Sequence, residues 1–243
     1  SEVGIVTRVE LPDLGRWAPQ RTDAQRWEPP RKLTVVVAPH PDDETLLSGG
    51  LIAHQARAGV PVIVLAVTDG EAAYPGDPDG LARQRRREQR QALRALAGEE
   101  LPVLRLGLPD GRVEDHHSSL VAAIAEHVTV DSLVVAPWRL DHHCDHEAVG
   151  RAAHEAAGRC GAALAEGLFW AWHHRQPQEM VSRLRELPLS RREVERRRCA
   201  LSHHHSQVAG DGASTPVLHS GVLGPFDWPS EYFILSNEGD DPL

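Results

Sequence analysis

The chain has 243 residues and a formal net charge of −9, a length that buries a sizeable core within one α/β unit and a charge that argues against general affinity for nucleic acid or anionic membranes. No apolar run is long enough to span a bilayer, and the first 30 residues carry charges where a signal peptide needs an apolar core. Cys144, Cys160 and Cys199 make an odd number in a chain too large to need disulfide staples, so a reducing, cytoplasmic setting is expected.

In chain order, residues 1–31 are rich in proline and polar groups and read as an irregular N-terminal arm pinned to the body by Trp17 and Trp27. The β-branched run over 33–38 predicts a buried strand, 44–58 a helix and 60–67 a second strand. Residues 71–80, with Pro75, Gly76, Pro78 and Gly80, predict a loop. An arginine-rich helix over 81–97, a short strand over 103–106, and a helix over 118–127 capped by Ser118 or Ser119 follow. Next come a strand over 133–136, a helix over 147–158 and a strand over 167–172, in which Trp170 and Trp172 alternate as core residues. After 207 the periodicity fades into an irregular segment, 208–243, within which 231–235 adds a late strand. One α/β domain over 1–243 is expected, Rossmann-like, with a mostly parallel sheet covered by helices on both faces.

The chemistry concentrates at two strand ends. The run Ala38-Pro39-His40-Pro41-Asp42-Asp43-Glu44 leaves the first strand, and loops at the C-terminal edge of a parallel sheet are where such folds bind ligands. One imidazole and two adjacent carboxylates can divide the labour there, one carboxylate holding a cation while its neighbour handles protons. Downstream, the strand over 133–136 runs through Pro137-Trp138-Arg139-Leu140 into Asp141-His142-His143-Cys144-Asp145-His146. No glycine-rich dinucleotide or phosphate loop and no Gly-x-Ser-x-Gly elbow is present, which disfavours nucleotide-dependent and serine-hydrolase chemistry.

The segments Pro39 to Glu44 and His143 to His146 resemble the two signature motifs of the zinc-dependent N-acetylglucosaminyl deacetylases, the LmbE-like or PIG-L family. Thr68 to Glu71, Arg85 to Glu88, Leu108 to Gly111 and His204 to Gln207 resemble further family segments, so the resemblance runs from about residue 35 to about 207. It implies that His40, Asp43 and His146 hold one Zn2+ per chain, a site that other divalent transition metals could also occupy. It also implies that Asp42 is the general base. His143 falls near the oxyanion and the leaving amine, with Asp145 orienting its imidazole and favouring the charged form. Arg85 would reach substrate hydroxyls or a phosphate, and His204 would line the site.

Plainer readings stand beside these. His-Pro-Asp-Asp alone could be turn and cap chemistry; Asp141 and His142 read as a solvated loop, Cys144 as a small filler, and most of the arginine run as a solvated helix face. The expected function is hydrolysis of an N-acetyl or other N-acyl group from an amino sugar or its conjugate, the partner being a small N-acylated, sugar-like molecule, with homo-oligomerisation left open. The alternatives are a zinc amidase on a different amide, such as a thiol conjugate, and a catalytically silent metal-binding scaffold.

Overall fold

The computed structural model describes residues 13–179, 184–210 and 215–236; the start of the expected arm, 1–12, and the end of the C-terminal segment, 237–243, lie outside them. The strands are Gln25–Arg26 (β1), Leu33–Ala38 (β2), Val62–Ala66 (β3), Val103–Arg105 (β4), Ser132–Pro137 (β5), Ala163–Gly167 (β6), Leu184–Pro188 (β7) and Ser230–Ser236 (β8). The helices are Ala18–Asp23 (α1), Asp43–Arg57 (α2), Pro78–Ala97 (α3), His117–Ala125 (α4), Cys144–Cys160 (α5), Ala171–His174 (α6), Arg191–Leu201 (α7) and His205–Val208 (α8). All strands join one eight-stranded sheet in the order β1-β7-β8-β6-β5-β2-β3-β4. Every described pairing is parallel except those of β8, which runs antiparallel to β6 and β7.

Successive strand residues face opposite ways, and this divides the core into two layers. Val35 and Val37 of β2 pack with Val134 of β5 beneath α4 and α5. Val36 and Ala38 pack with Val135 beneath α2, α3 and α7. Burial on both faces is why β2 and β5 read as continuous apolar runs.

Helix α2 is bent where Ser48 leaves helical geometry, at φ −150° and ψ 21°. The break frees the N–H groups of Gly50 and Leu51, and both oxygens of Glu231 on β8 accept them, at 2.6 and 2.8 Å. A carboxylate here satisfies donors that would otherwise be orphaned at the start of the second helical segment. Arg197 of α7 pairs with the same carboxylate at 3.4 Å.

Several expectations shift. The strand expected over 167–172 lies earlier, at Ala163–Gly167. There the chain turns, because Trp138 N–H takes the Gly167 carbonyl at 2.7 Å and Gly167 sits against Leu47 of α2 with no room to spare for a side chain. Trp170 and Trp172 therefore do not alternate on a strand. Trp172 is buried edge-on against Trp17, 5.1 Å between centroids, while Trp170 faces the cavity described below. Helix α4 has no serine cap, since a 3-10 turn over Val113–His116 runs straight into it and Ser119 instead donates to the His116 carbonyl. Helix α5 begins at Cys144 because the His143 ring accepts the Asp145 N–H and caps it. Trp17 is fully buried and Trp27 packs on Phe233 at 5.2 Å.

Candidate active site

The strand order reverses between β2 and β5: the chain proceeds from β2 to β3 and β4 on one side, and from β5 to β6 on the other. Loops leaving two such strands diverge and open a crevice. Residues 39–42 and 138–143 form its two lips, each running into the first turn of a helix, α2 and α5. A cavity of about 290 Å³ lies there, lined by His40, Asp42, Asp43, His143, Asp145 and His146 on its polar side and by Leu46, Phe169, Trp170, Val217 and Leu218 on its apolar side.

Asp43 stands between two imidazoles. Its Oδ2 lies 3.0 Å from His40 Nδ1 and its Oδ1 3.1 Å from His146 Nε2, and one donor atom from each of the three residues falls within 4.8 Å of the others. Burial penalises the Asp43 carboxylate, but the two imidazoles outweigh it and hold Asp43 well below the usual carboxylate range. Burial likewise opposes charge on His146, yet Asp43 and Asp141 raise it to about 9; Asp110, Asp145 and Asp43 overcome burial to raise His40. The pocket thus attracts positive charge, and two imidazole nitrogens with one carboxylate suit a zinc ion with a coordination position to spare. The donor set fits the expected metal.

Asp42 is buried beside this group, its Oδ2 3.2 Å from Arg85 NH2. Burial pushes its carboxyl up, the Arg85 guanidinium pulls it down, and Asp43 adds to the rise. Arg85 is itself buried, also donates to the Gly70 carbonyl at 2.9 Å, and is among the residues that line the cavity. Its neighbours Arg83, Arg86, Arg87 and Arg90 are exposed, as expected of a solvated face.

The Asp145 carboxylate does not pair with the His143 ring. Its Oδ2 accepts from His40 Nε2 at 3.1 Å and from Gly111 N–H at 2.8 Å. As the second residue of α5, it sits where its carboxylate reaches across to the β4–α4 connection and away from the preceding ring. Nor do the surroundings of His143 favour the expected imidazolium. Burial and the positive charges of His146 and His40 lower it to about 4.

His204 does not line the cavity. It is fully buried behind α2, its Nε2 3.1 Å from Thr45 Oγ1, and burial lowers it to about 3; Gln207, on the next turn, is the residue of that segment that reaches the cavity. Cys144 is exposed at the cavity rim and is not one of the residues whose donor atoms converge with His40, Asp43 and His146. His142 is exposed, with φ +70°, and stacks on His174 at 4.4 Å.

Two residues of the site were given no role from sequence. Asp110 Oδ1 lies 3.2 Å from His40 Nε2, while its Oδ2 accepts the Ala72 N–H and its own N–H donates to Glu71. Burial opposes its charge, but the His40 hydrogen bond prevails and holds it at about 2. Its signal was the Leu-Pro-Asp-Gly segment. Asp141, expected in solvent, is fully buried, with Oδ2 2.8 Å from His146 Nδ1.

The model of the GlcNAc-PI de-N-acetylase family, PIG-L, matches residues 35–157, from β2 to within α5. The chain belongs to this family. The match contains both lips of the crevice. Among curated proteins, a 1D-myo-inositol 2-acetamido-2-deoxy-alpha-D-glucopyranoside deacetylase of Kineococcus radiotolerans is 39% identical over 79 residues, 30% of this chain and 22% of that protein. A probable N-acetyl-alpha-D-glucosaminyl L-malate deacetylase 2 of Bacillus cereus is 30% identical over 135 residues, 51% of this chain and 60% of its own. The chain thus spans less than two thirds of either relative. Among solved structures, the N,N'-diacetylchitobiose deacetylase of Pyrococcus horikoshii superposes with a TM-score of 0.63 at 19% identity, over 84% of each chain, which establishes the shared α/β fold. No described helix is both long and apolar enough to cross a membrane.

Proposed function

We propose that this PIG-L family chain is a zinc-dependent hydrolase that removes an N-acetyl or other N-acyl group from an amino sugar or amino-sugar conjugate. The observation that carries the reading is the convergence of His40, Asp43 and His146 within one cavity, with the buried carboxylate of Asp42 beside them and outside the ligand group. A silent scaffold has no use for such a carboxylate. The relatives named above, deacetylases of acetamido sugars by description, support the choice of substrate class.

A zinc ion held by the three ligands would supply Lewis acidity toward an amide carbonyl and lower the pKa of a water. The protein's own groups do the rest. Asp42 takes the proton of the attacking water, and burial, by raising its carboxyl, brings its basicity closer to that task. His143 accepts the Asp145 N–H on Nδ1 at 3.3 Å, so the neutral ring carries its proton on Nε2. That N–H donates to the oxygen that gains charge as the carbonyl becomes tetrahedral. Asp42 then returns its proton to the departing amine, and amine and carboxylate leave. Arg85 acts by keeping the Asp42 carboxylate in place.

The test is metal analysis combined with acetate release from a panel of N-acetylated amino sugars. About one divalent ion per chain is expected, lost on changing His40, Asp43 or His146 to alanine, together with acetate from at least one sugar. Stoichiometric metal in the triple variant overturns the ligand assignment; metal without amide hydrolysis on sugars or on thiol-conjugate amides favours the scaffold.

A further inference from the structure

Asp141 gathers four N–H donors from two parts of the chain. Its Oδ2 accepts from His146 Nδ1 at 2.8 Å and from Trp170 N–H at 3.2 Å, and its Oδ1 from Phe169 N–H at 2.9 Å and Ala171 N–H at 3.0 Å. The side chain has no solvent exposure, and among the described residues no arginine or lysine is paired with it; its charge is met by these N–H groups. A carboxylate at this depth is costly unless so satisfied.

The two sets of donors belong to different functions of the cavity. His146 is a proposed ligand, and by accepting its Nδ1–H Asp141 leaves Nε2, which lies 3.1 Å from Asp43, as the nitrogen that would bind a metal. Phe169 and Trp170 form part of the apolar wall, and their backbone is held by the same carboxylate.

We infer that Asp141 is a positioning residue that joins the metal ligand His146 to the Phe169–Trp170 wall, so that filling the metal site and setting the wall are one event. The inference rests on the functional reading above. It has two consequences. Removing the acceptor frees the His146 ring to rotate or change tautomer, and metal binding weakens. Tightening His146 on a cation also tightens the backbone at residues 169–171 through the shared carboxylate.

An Asp141→Asn variant keeps the size of the side chain but has one oxygen in place of two, so it cannot serve both sets of donors. Zinc affinity is measured by chelator competition on the metal-depleted full chain, with hydrogen exchange at residues 169–171 before and after zinc. Leu93→Ala, a core truncation on α3, serves as the destabilised control. The wild type should gain protection at 169–171 on taking up zinc. Asp141→Asn should bind zinc about 10- to 100-fold more weakly or lose the zinc-linked protection, while Leu93→Ala changes neither. Wild-type affinity with intact zinc-linked protection in Asp141→Asn overturns the inference and leaves the metal reading standing; a wild type that takes up no zinc overturns both. Should Asp141→Asn not fold, nitrogen-15 spectra of the zinc-loaded wild type decide. Protonated Nδ1 with coordinated Nε2 on His146 supports the inference, and the reverse refutes it.

Discussion

Changing Glu231 to alanine should cost about 3 to 5 kcal/mol of stability, the scale of breaking a buried ion pair. Both oxygens of this carboxylate are committed to the N–H groups freed at the bend of α2, and each buried donor left without an acceptor costs about 1 to 3 kcal/mol. Arg197 loses its counter-charge as well, but it retains the carbonyls of Phe226 and Trp228 at 2.6 and 2.7 Å, which keeps the total from rising further. For a chain of this size each kcal/mol lowers the melting temperature by about 2 to 4 °C, so a fall of roughly 6 to 20 °C is expected in a thermal melt. Glu231→Gln keeps one oxygen and should lose about half as much. Urea unfolding gives the free energy directly. A Glu231→Ala protein within about 1 kcal/mol of wild type would mean that the bend in α2 satisfies its own donors, and that the capping assigned to β8 is wrong.

Asp42→Asn should retain metal while turnover falls by about 10²-fold or more, the scale of a lost general base; turnover near wild type moves the base elsewhere. His204 gives a pH-dependent stability. Its folded value of about 3 lies below the roughly 6.5 of an unfolded histidine, so the unfolded chain binds a proton that the folded chain refuses. Stability should be lost as pH falls from about 6.5 toward 3, by at most about 5 kcal/mol. His204→Gln should flatten that loss in urea midpoints measured across the window, and parallel profiles for the two proteins refute it. Gly150→Ala places a methyl group 2.6 to 2.7 Å from backbone atoms of Pro137 and Arg139. Rigid backbone cannot yield cheaply, so the variant should lose about 1 to 3 kcal/mol despite the helix-favouring exchange; a stabilised Gly150→Ala would show that the β5–α5 loop gives way.

Legibility in the sequence followed the range of the forces involved. The valine run of β2 declared a strand with its observed bounds, because β-branched residues buried on both faces leave a local mark. Strand β6, Ala-Leu-Ala-Glu-Gly, leaves none; it is a strand because β5 and β8 pair with it. β7 is equally faint, and α7, which opens on the Ser190–Glu193 capping box, was likewise not anticipated. In the site, the segments that hold His40, Asp43 and His146 were legible as two motifs at strand ends, and the resemblance to the family picked out the three residues. The partner of Asp145 was not legible, since His40 is 105 residues away. Asp141 was misread for the same reason: three of its four donors come from 28 to 30 residues downstream.

Strand β8 comes last in chain order but lies inside the sheet, between β6 and β7. During synthesis β6 and β7 are therefore complete before the strand that joins them exists. At about 5 to 20 residues per second, the stretch from Pro188 to Ser230 takes roughly 2 to 8 seconds to make. For that time the nascent chain exposes an unpaired edge on β6 and another on β7, with Leu184 and Leu187 not yet covered by Tyr232, Phe233 and Ile234, and open apolar edges recruit strands from other molecules. Protein yield in the cell should accordingly depend on how promptly residues 230–236 arrive, and a chain interrupted just ahead of them should aggregate although it already carries His40, Asp43 and His146.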